Sequence, residues 1–109
     1  MFARKVSMHL RPDGVPQFKQ KLQNEIVPLL QKQDGFLEEI TPLYLNGREV
    51  QTFSLWKTAE HAEMYNRSTY PEVIRIFASV VEGTTRVQTY EVLHSTFQNA
   101  AAISVGALT

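Results

Sequence analysis

The sequence predicts an α+β domain, β-α-β-β-α-β in order, with its helices on one face of a four-stranded antiparallel sheet. Three observations carry that expectation. The length, 109 residues, suits a single hydrophobic core. Apolar periodicity changes from two to about 3.6 and back, twice along the chain. Asn46-Gly47 stands between the halves, and Asn-Gly is the dipeptide best suited to a tight antiparallel hairpin, because both central residues of a type I′ turn need positive φ.

Composition bounds the function before any motif is read. Hydrophobic residues make up 43% of the chain and charged residues 20%, as in globular proteins that fold without a staple. Eleven basic and eleven acidic side chains cancel, and no run of Lys or Arg supplies the positive field a phosphate backbone requires, so nucleic acid is not an expected partner. The chain has no cysteine, hence no disulfide framework, thiolate nucleophile or cysteine-ligated metal. Arg4, Lys5 and His9 break up the first ten residues. Neither a secretory core nor a membrane span is expected there, and a cytoplasmic location is the default. Asn66-Arg67-Ser68 matches a glycosylation sequon, which without a secretory signal is read as chance.

The first strand covers Phe2 to Leu10, with Phe2, Val6, Met8 and Leu10 on one face and Ala3, Lys5, Ser7 and His9 on the other. Arg11-Pro12-Asp13-Gly14 interrupts it. Asp13 is placed to cap a helix that carries Pro16 in its first turn. Phe18, Leu22, Ile26, Leu29 and Leu30 recur at helical spacing opposite a polar face. Pro28 opposes the Asn24 carbonyl, so a kink or break is expected there. Gly35 is expected to end the helix. An apolar-rich second strand follows from Phe36 through Ile40 and Leu43 to the Asn46-Gly47 turn, with Pro42 indicating an edge position or a bulge. In the third strand Phe53 and Leu55 alternate with Thr52, Ser54 and Trp56. Thr58 can cap a helix from Ala59 to Tyr65, and Ser68 or Thr69 a second turn set containing Pro71, which makes this helical region bent. Val73, Phe77, Val80 and Val81 form its buried stripe, and Gly83 is expected to stop it before a fourth strand. In that strand Val87, Thr89 and Leu93 alternate with Gln88, Tyr90, Val92 and His94. Residues 1–97 thus form the domain, and 98–109 an uncharged tail.

The wording at three places resembles antibiotic-biosynthesis-monooxygenase-like domains. His9-Leu10-Arg11-Pro12-Asp13-Gly14 is similar to that family's end of strand one, and Asp34-Gly35-Phe36 to its glycine-led entry into strand two. Phe53-Ser54-Leu55-Trp56-Lys57, then Ala59-Glu60-His61-Ala62 and Tyr65, resembles its strand-three tryptophan, acidic helix start and ligand-facing aromatic or histidine. The resemblance implies a ferredoxin-like split β-α-β fold, assembled as a homodimeric α/β barrel with a pocket between sheet and helices in each subunit. A single helix layer agrees with that in one respect, since it leaves a sheet face for water or a partner.

Some members of that family oxygenate phenolic compounds without metal or flavin, because an electron-rich phenolate can itself reduce oxygen. Such chemistry needs only a group that favours the phenolate and a dry pocket. The resemblance makes Tyr65 the candidate hydrogen-bond donor to a substrate oxygen. His9 and His94 are candidate bases, since only histidines titrate near neutral pH unperturbed; if strands one and four pair, these two could approach one another. His61, beside Glu60 at a helix start, reads as a surface residue. Phe36, Trp56, Phe77 and Arg75 are the expected pocket lining, although a lone tryptophan such as Trp56 is more often core than site. Haem-degrading relatives carry an asparagine on strand one, a tryptophan on helix two and a histidine about ten residues later. Here those places hold Val6 or Ser7, Tyr65 and Arg75, so that chemistry is disfavoured. No HxH or HxxxH pair supports a metal, and no cofactor is expected. The reading is a cofactor-independent monooxygenase acting on a small aromatic or quinol-type compound. The alternative is a non-catalytic module of the same fold that binds a small apolar ligand or dimerises.

Overall fold

In the computed structural model, which describes residues 1–45 and 47–97, one antiparallel sheet runs in the order β2-β3-β1-β4. Its strands are β1 (Phe2–Leu10), β2 (Phe36–Ile40), β3 (Glu49–Trp56) and β4 (Val81–Glu91). Between β1 and β2 lie α1 (Val15–Lys21), a π-helical turn (Leu22–Ile26) and α2 (Val27–Gln31). Between β3 and β4 lie α3 (Ala59–Ser68) and α4 (Tyr70–Phe77). The expected α+β split β-α-β order, with both helical regions on one face of the sheet, is the one observed.

Strand alternation sets which side chains meet the helices. Val6, Met8 and Leu10 of β1 and Val50, Ser54 and Trp56 of β3 are buried, and the apolar ones among them pack with Phe18, Ile26, Leu30, Ala62, Tyr65, Val73, Phe77 and Val80. Burial of each such large apolar side chain contributes about 1.5–3 kcal/mol. Trp56 decides which way β3 faces. It is fully buried, with its indole N–H donating to Ser54 Oγ at 2.9 Å, and this sends Phe53 and Leu55 to the open face. There Ile40, Phe53, Lys5 and Gln88 form one cross-strand row, and Leu55, Ala3 and Tyr90 the next.

Several local features differ from expectation for identifiable reasons. Asp13 caps nothing: Gly14 is the N-cap residue of α1, and Asp13 itself takes φ 61° in the Arg11–Gly14 turn, a conformation that aspartate tolerates better than most residues. Pro16 sits in the first turn as expected. Pro28 does not break its helix. The Val27 N–H reaches Leu22 O, five residues back, and this wider π turn carries the chain into the proline without interrupting it. Gly83 is inside β4 rather than at the helix end; with φ 72° it lies where the β1–β4 register shifts, a bulge that a residue without Cβ accommodates. The second strand is an edge strand, as Pro42 indicated, with a register shift between Phe36 and Glu38. Regular β2 stops at Ile40, and the connection to β3 continues through a Leu43–Val50 bridge. Asn46 of the expected turn and the 98–109 tail lie outside the described residues.

Candidate functional site

A cavity lies between the helix-facing side of the sheet and the helical layer. Val6 and Met8 of β1, Thr52 and Ser54 of β3, Leu22 and Ile26 of the π turn, and Val73 and Phe77 of α4 supply much of its wall. Four groups bring chemistry to it: Arg4, Glu39, Tyr65 and Tyr70. The sheet register explains how they meet. Glu39 is opposite Ser54, Ser54 opposite Arg4 and Arg4 opposite Thr89, so one cross-sheet row points toward the helices. At about 4.8 Å per strand, Glu39 and Arg4 stand roughly 10 Å apart with Ser54 between them. The free volume of the cavity is about 30 Å³, room for very few waters.

Arg4 is the unusual member, because a cation occupies the apolar stripe of β1 and is only 3% exposed. Its Nη2 donates to Asn66 Oδ1 of α3 at 2.8 Å. The guanidinium carbon is 5.2 Å from the centre of the Tyr65 ring and 4.5 Å from that of Tyr70, within cation–π range. Burial lowers the Arg4 pKa, opposed by Tyr65, Tyr70 and Glu63. Tyr65 is pushed up to about 12, chiefly by burial and also by Tyr70, with Arg4 acting in the opposite sense; at neutral pH it is a hydrogen-bond donor, not a base. Burial also raises Tyr70, against lowering by Thr85 and Arg4. The Tyr70 hydroxyl nevertheless has no partner in hydrogen-bond geometry among the described residues, so the Thr85 contact is only a weak polar one. Burial raises the Glu39 carboxyl, against a hydrogen bond from Thr41.

The sequence-derived candidates divide cleanly. Tyr65 is buried in the cavity wall, its ring 4.9 Å from Trp56 and 6.2 Å from Tyr70. Phe77 lines the cavity and stacks on Phe18 at 4.7 Å. Trp56 and Phe36 stand behind that wall rather than in it, packed edge to face at 5.6 Å. Arg75 does not line the cavity. It is on the solvent side of α4, ion-paired with Glu72, because the buried stripe of that helix runs through Val73 and Phe77. His9 is exposed on the open sheet face, opposite Glu49 and Glu82 in register. His94 is exposed beyond the other end of β4. The two do not meet: β1 and β4 do pair, but antiparallel, and the seven steps from Phe2 to His9 alone span about 23 Å. His61 packs its ring over Gly35 and pairs Nδ1 with Thr58 Oγ1 at 2.8 Å. Sequence reasoning missed Arg4, Glu39 and Tyr70. A signal existed only for Arg4, the one charged residue at an even position of the first strand. Among the described residues, no three His, Cys, Asp or Glu side chains gather as a metal site, and no helix is long and apolar enough to cross a membrane.

The fold has counterparts among solved structures. A protein of Deinococcus radiodurans assigned as an antibiotic biosynthesis monooxygenase superposes with a TM-score of 0.73 at 13% identity, over 87% of this chain and 95% of that one. The chain has the antibiotic biosynthesis monooxygenase fold. The same fold is seen in a monooxygenase of Streptomyces coelicolor in complex with nanaomycin D, at a TM-score of 0.73 and 12% identity over 86% of this chain and 88% of that one. SnoaB, a cofactor-independent oxygenase of Streptomyces nogalater, matches at 0.69 and 7% identity over 86% and 94%. Another chain of this fold, NE2512 of Nitrosomonas europaea, is of unknown function. No family model and no curated protein sequence matches the chain.

Proposed function

We propose that the chain is an antibiotic-biosynthesis-monooxygenase-like protein that oxygenates a small aromatic or quinol-type compound in the Arg4–Tyr65 cavity without a cofactor. The observation that carries this reading is the meeting of Tyr65, Glu39 and Arg4 in one largely apolar cavity between sheet and helices, the place where the resemblance put the ligand. In this chemistry the deprotonated substrate itself reduces dioxygen. A phenol with a free ring C–H becomes a quinone: one atom of dioxygen replaces that hydrogen as a carbonyl oxygen, the phenolate oxygen becomes the second carbonyl, the other atom of dioxygen leaves as water with the two hydrogens lost, and all four electrons come from the substrate. Tyr65 donates a hydrogen bond to the substrate oxygen, and Glu39 is the proton acceptor within the cavity. Val73, Phe77 and Ile26 keep water out. His9 and His94 have no part, being outside the cavity.

The 30 Å³ volume is far below the roughly 300 Å³ or more of a typical ligand pocket. Admission of substrate therefore requires the helical layer to lift, and the π turn that contributes Leu22 and Ile26 is the segment of least regular hydrogen bonding in that layer. Oxygen uptake with a panel of phenols and hydroquinones is expected to exceed the protein-free rate. Tyr65→Phe is expected to lower it by about 10²-fold, the loss typical of one oxyanion donor. Uptake equal to the protein-free control across the panel refutes the proposal.

The absence of a histidine from the cavity favours a second reading, a binding module without turnover. Mass spectrometry of the undenatured protein separates the two: a co-purified ligand unchanged by aerobic incubation supports binding alone.

The open sheet face supports a homodimer. Ile40 is 60% and Tyr90 42% exposed, and with Phe53, Leu55 and Ala3 they make an apolar patch, flanked by Lys5 and Gln88, on a face without helices. Light scattering is expected to give twice the 12.5 kDa chain mass; the chain mass alone, at working concentration, counts against the dimer.

A further inference from the structure

We propose that the protein binds a halide ion, chloride or bromide, between the Arg4 guanidinium and the Tyr70 hydroxyl. This goes beyond the proposed function and depends on no turnover. Two donors at the cavity wall lack the partners that burial demands. A guanidinium presents five N–H groups, and Arg4, only 3% exposed, makes a single hydrogen bond among the described residues, to Asn66. The elements around it supply no counter-ion. Glu63 of α3 pairs with Arg67 at 3.9 Å, and no carboxylate among the described residues lies within ion-pair distance of Arg4. Glu39 of β2 is two strands away, beyond Ser54 of β3, and takes a hydrogen bond from Thr41. Tyr65 and Tyr70 offer the cation ring faces at 5.2 and 4.5 Å rather than charged oxygens. The second donor is the Tyr70 hydroxyl, wholly buried and without a partner among the described residues. Buried charges are normally paired, and a buried polar group left unsatisfied in a native protein calls for an explanation.

Charge, size and polarity narrow the ligand. One unpaired cation suits one negative charge; a phosphate or sulfate dianion would leave charge unmatched in a cavity that also contains Glu39. A free volume of about 30 Å³ is on the scale of very few waters. A monatomic ion fits there with the helices in place, whereas an organic anion requires the helical layer to lift. A water in the same position would satisfy the hydroxyl and leave the guanidinium charge unpaired. Val6, Met8, Ile26 and Phe77 give an ion no hydration, and the cost of stripping water from an ion falls as its radius grows. The order of affinity is therefore bromide, chloride, then fluoride.

The melting temperature of the full chain, measured at constant ionic strength as sodium gluconate is replaced by bromide, chloride or fluoride, tests this. For a dissociation constant of about 10 mM, a concentration of about 100 mM bromide is expected to raise the melting temperature by about 4–8 °C, with chloride weaker and fluoride weakest. A general salt effect gives the reverse order, because strongly hydrated anions stabilise by exclusion from the surface; that order overturns the site. Anomalous diffraction from crystals grown in bromide is expected to show a peak within hydrogen-bond reach of both Arg4 and Tyr70 Oη. A peak there without the thermal response marks an adventitious ion only and also overturns the proposal. Arg4→Met is expected to abolish the bromide response, and Tyr70→Phe to weaken it severalfold; should the first variant not fold, the second decides. A response that Tyr70→Phe leaves unchanged, no halide dependence, or a peak only elsewhere on the molecule each overturns the halide site. Oxygen uptake does not enter the test, so the proposed function and the halide site can fail separately.

Discussion

Replacing Gly35 with alanine probes the joint that holds β2, with Glu39, against α3, with Tyr65. Gly35 has φ +80°, and its carbonyl accepts the Lys57 N–H at 2.8 Å. An alanine Cβ there would lie 2.2 Å from His61 Cγ and 2.5 Å from Cδ2. The positive φ costs about 1–2 kcal/mol for a residue with a Cβ, and forced overpacking adds about 1–3 kcal/mol. The expected loss of about 2–5 kcal/mol is large beside a total stability of about 5–15 kcal/mol. It separates into parts, because His61 is held mainly by Thr58, through Oγ1 to Nδ1 at 2.8 Å and from its own N–H at 3.1 Å. His61→Gly removes every clashing atom, including the His61 Cβ that would lie 2.6 Å from the new methyl, while leaving the Gly35 backbone conformation. Urea denaturation of Gly35→Ala, His61→Gly and the double variant forms a thermodynamic cycle. In the His61→Gly background the Gly35 substitution is expected to cost only the strain, about 1–2 kcal/mol. Equal costs in both backgrounds would refute the clash, and a cost below about 0.5 kcal/mol would refute the whole account.

Alkaline unfolding reports on Tyr65. Its folded pKa of about 12 exceeds the unfolded value of about 10, so its contribution is fully present below about pH 10 and is lost as pH rises toward 12. Stability is expected to fall by up to about 2–3 kcal/mol across that window, less steeply in Tyr65→Phe, as urea midpoints near pH 9 and 11.5 would reveal. Phe77→Ala is expected to lose about 3–5 kcal/mol while enlarging the cavity; a loss under about 1 kcal/mol in denaturant titration would contradict its place in the core. Lysine at both Ile40 and Phe53 is expected to convert the proposed dimer to monomer on light scattering, with circular dichroism unchanged; a dimer that persists places the interface elsewhere. Arg75→Ala is expected to leave oxygen uptake with the phenol and hydroquinone panel unchanged, since its guanidinium faces solvent beside Glu72; a loss matching that of Tyr65→Phe would place Arg75 in the cavity.

Element order and type were legible because each rests on a local rule. Alternation in Phe2–Leu10, the three-to-four spacing of Phe18, Ile26 and Leu30, the Thr58 cap and the Pro71 restart all act within a few residues, and each is found in place. Where two local rules compete, the outcome escaped the sequence: Pro28 could kink the helix or be absorbed by a π turn, and Gly83 could end a helix or open a bulge. The candidate site was legible only at Tyr65 and Phe77, which a tryptophan-to-tyrosine spacing and a helical stripe pointed to. Arg4, Glu39 and Tyr70 belong to three elements, and their meeting depends on the β2-β3-β1-β4 order and on a register that puts Glu39, Ser54 and Arg4 in one row. The same antiparallel pairing sent His9 and His94 to opposite ends of the sheet. The sequence by itself determined the periodicities, and so the faces and the split β-α-β class. Only the tertiary structure decided which polar groups share a cavity, because that follows from strand order and register, set by long-range packing rather than by neighbours in the chain.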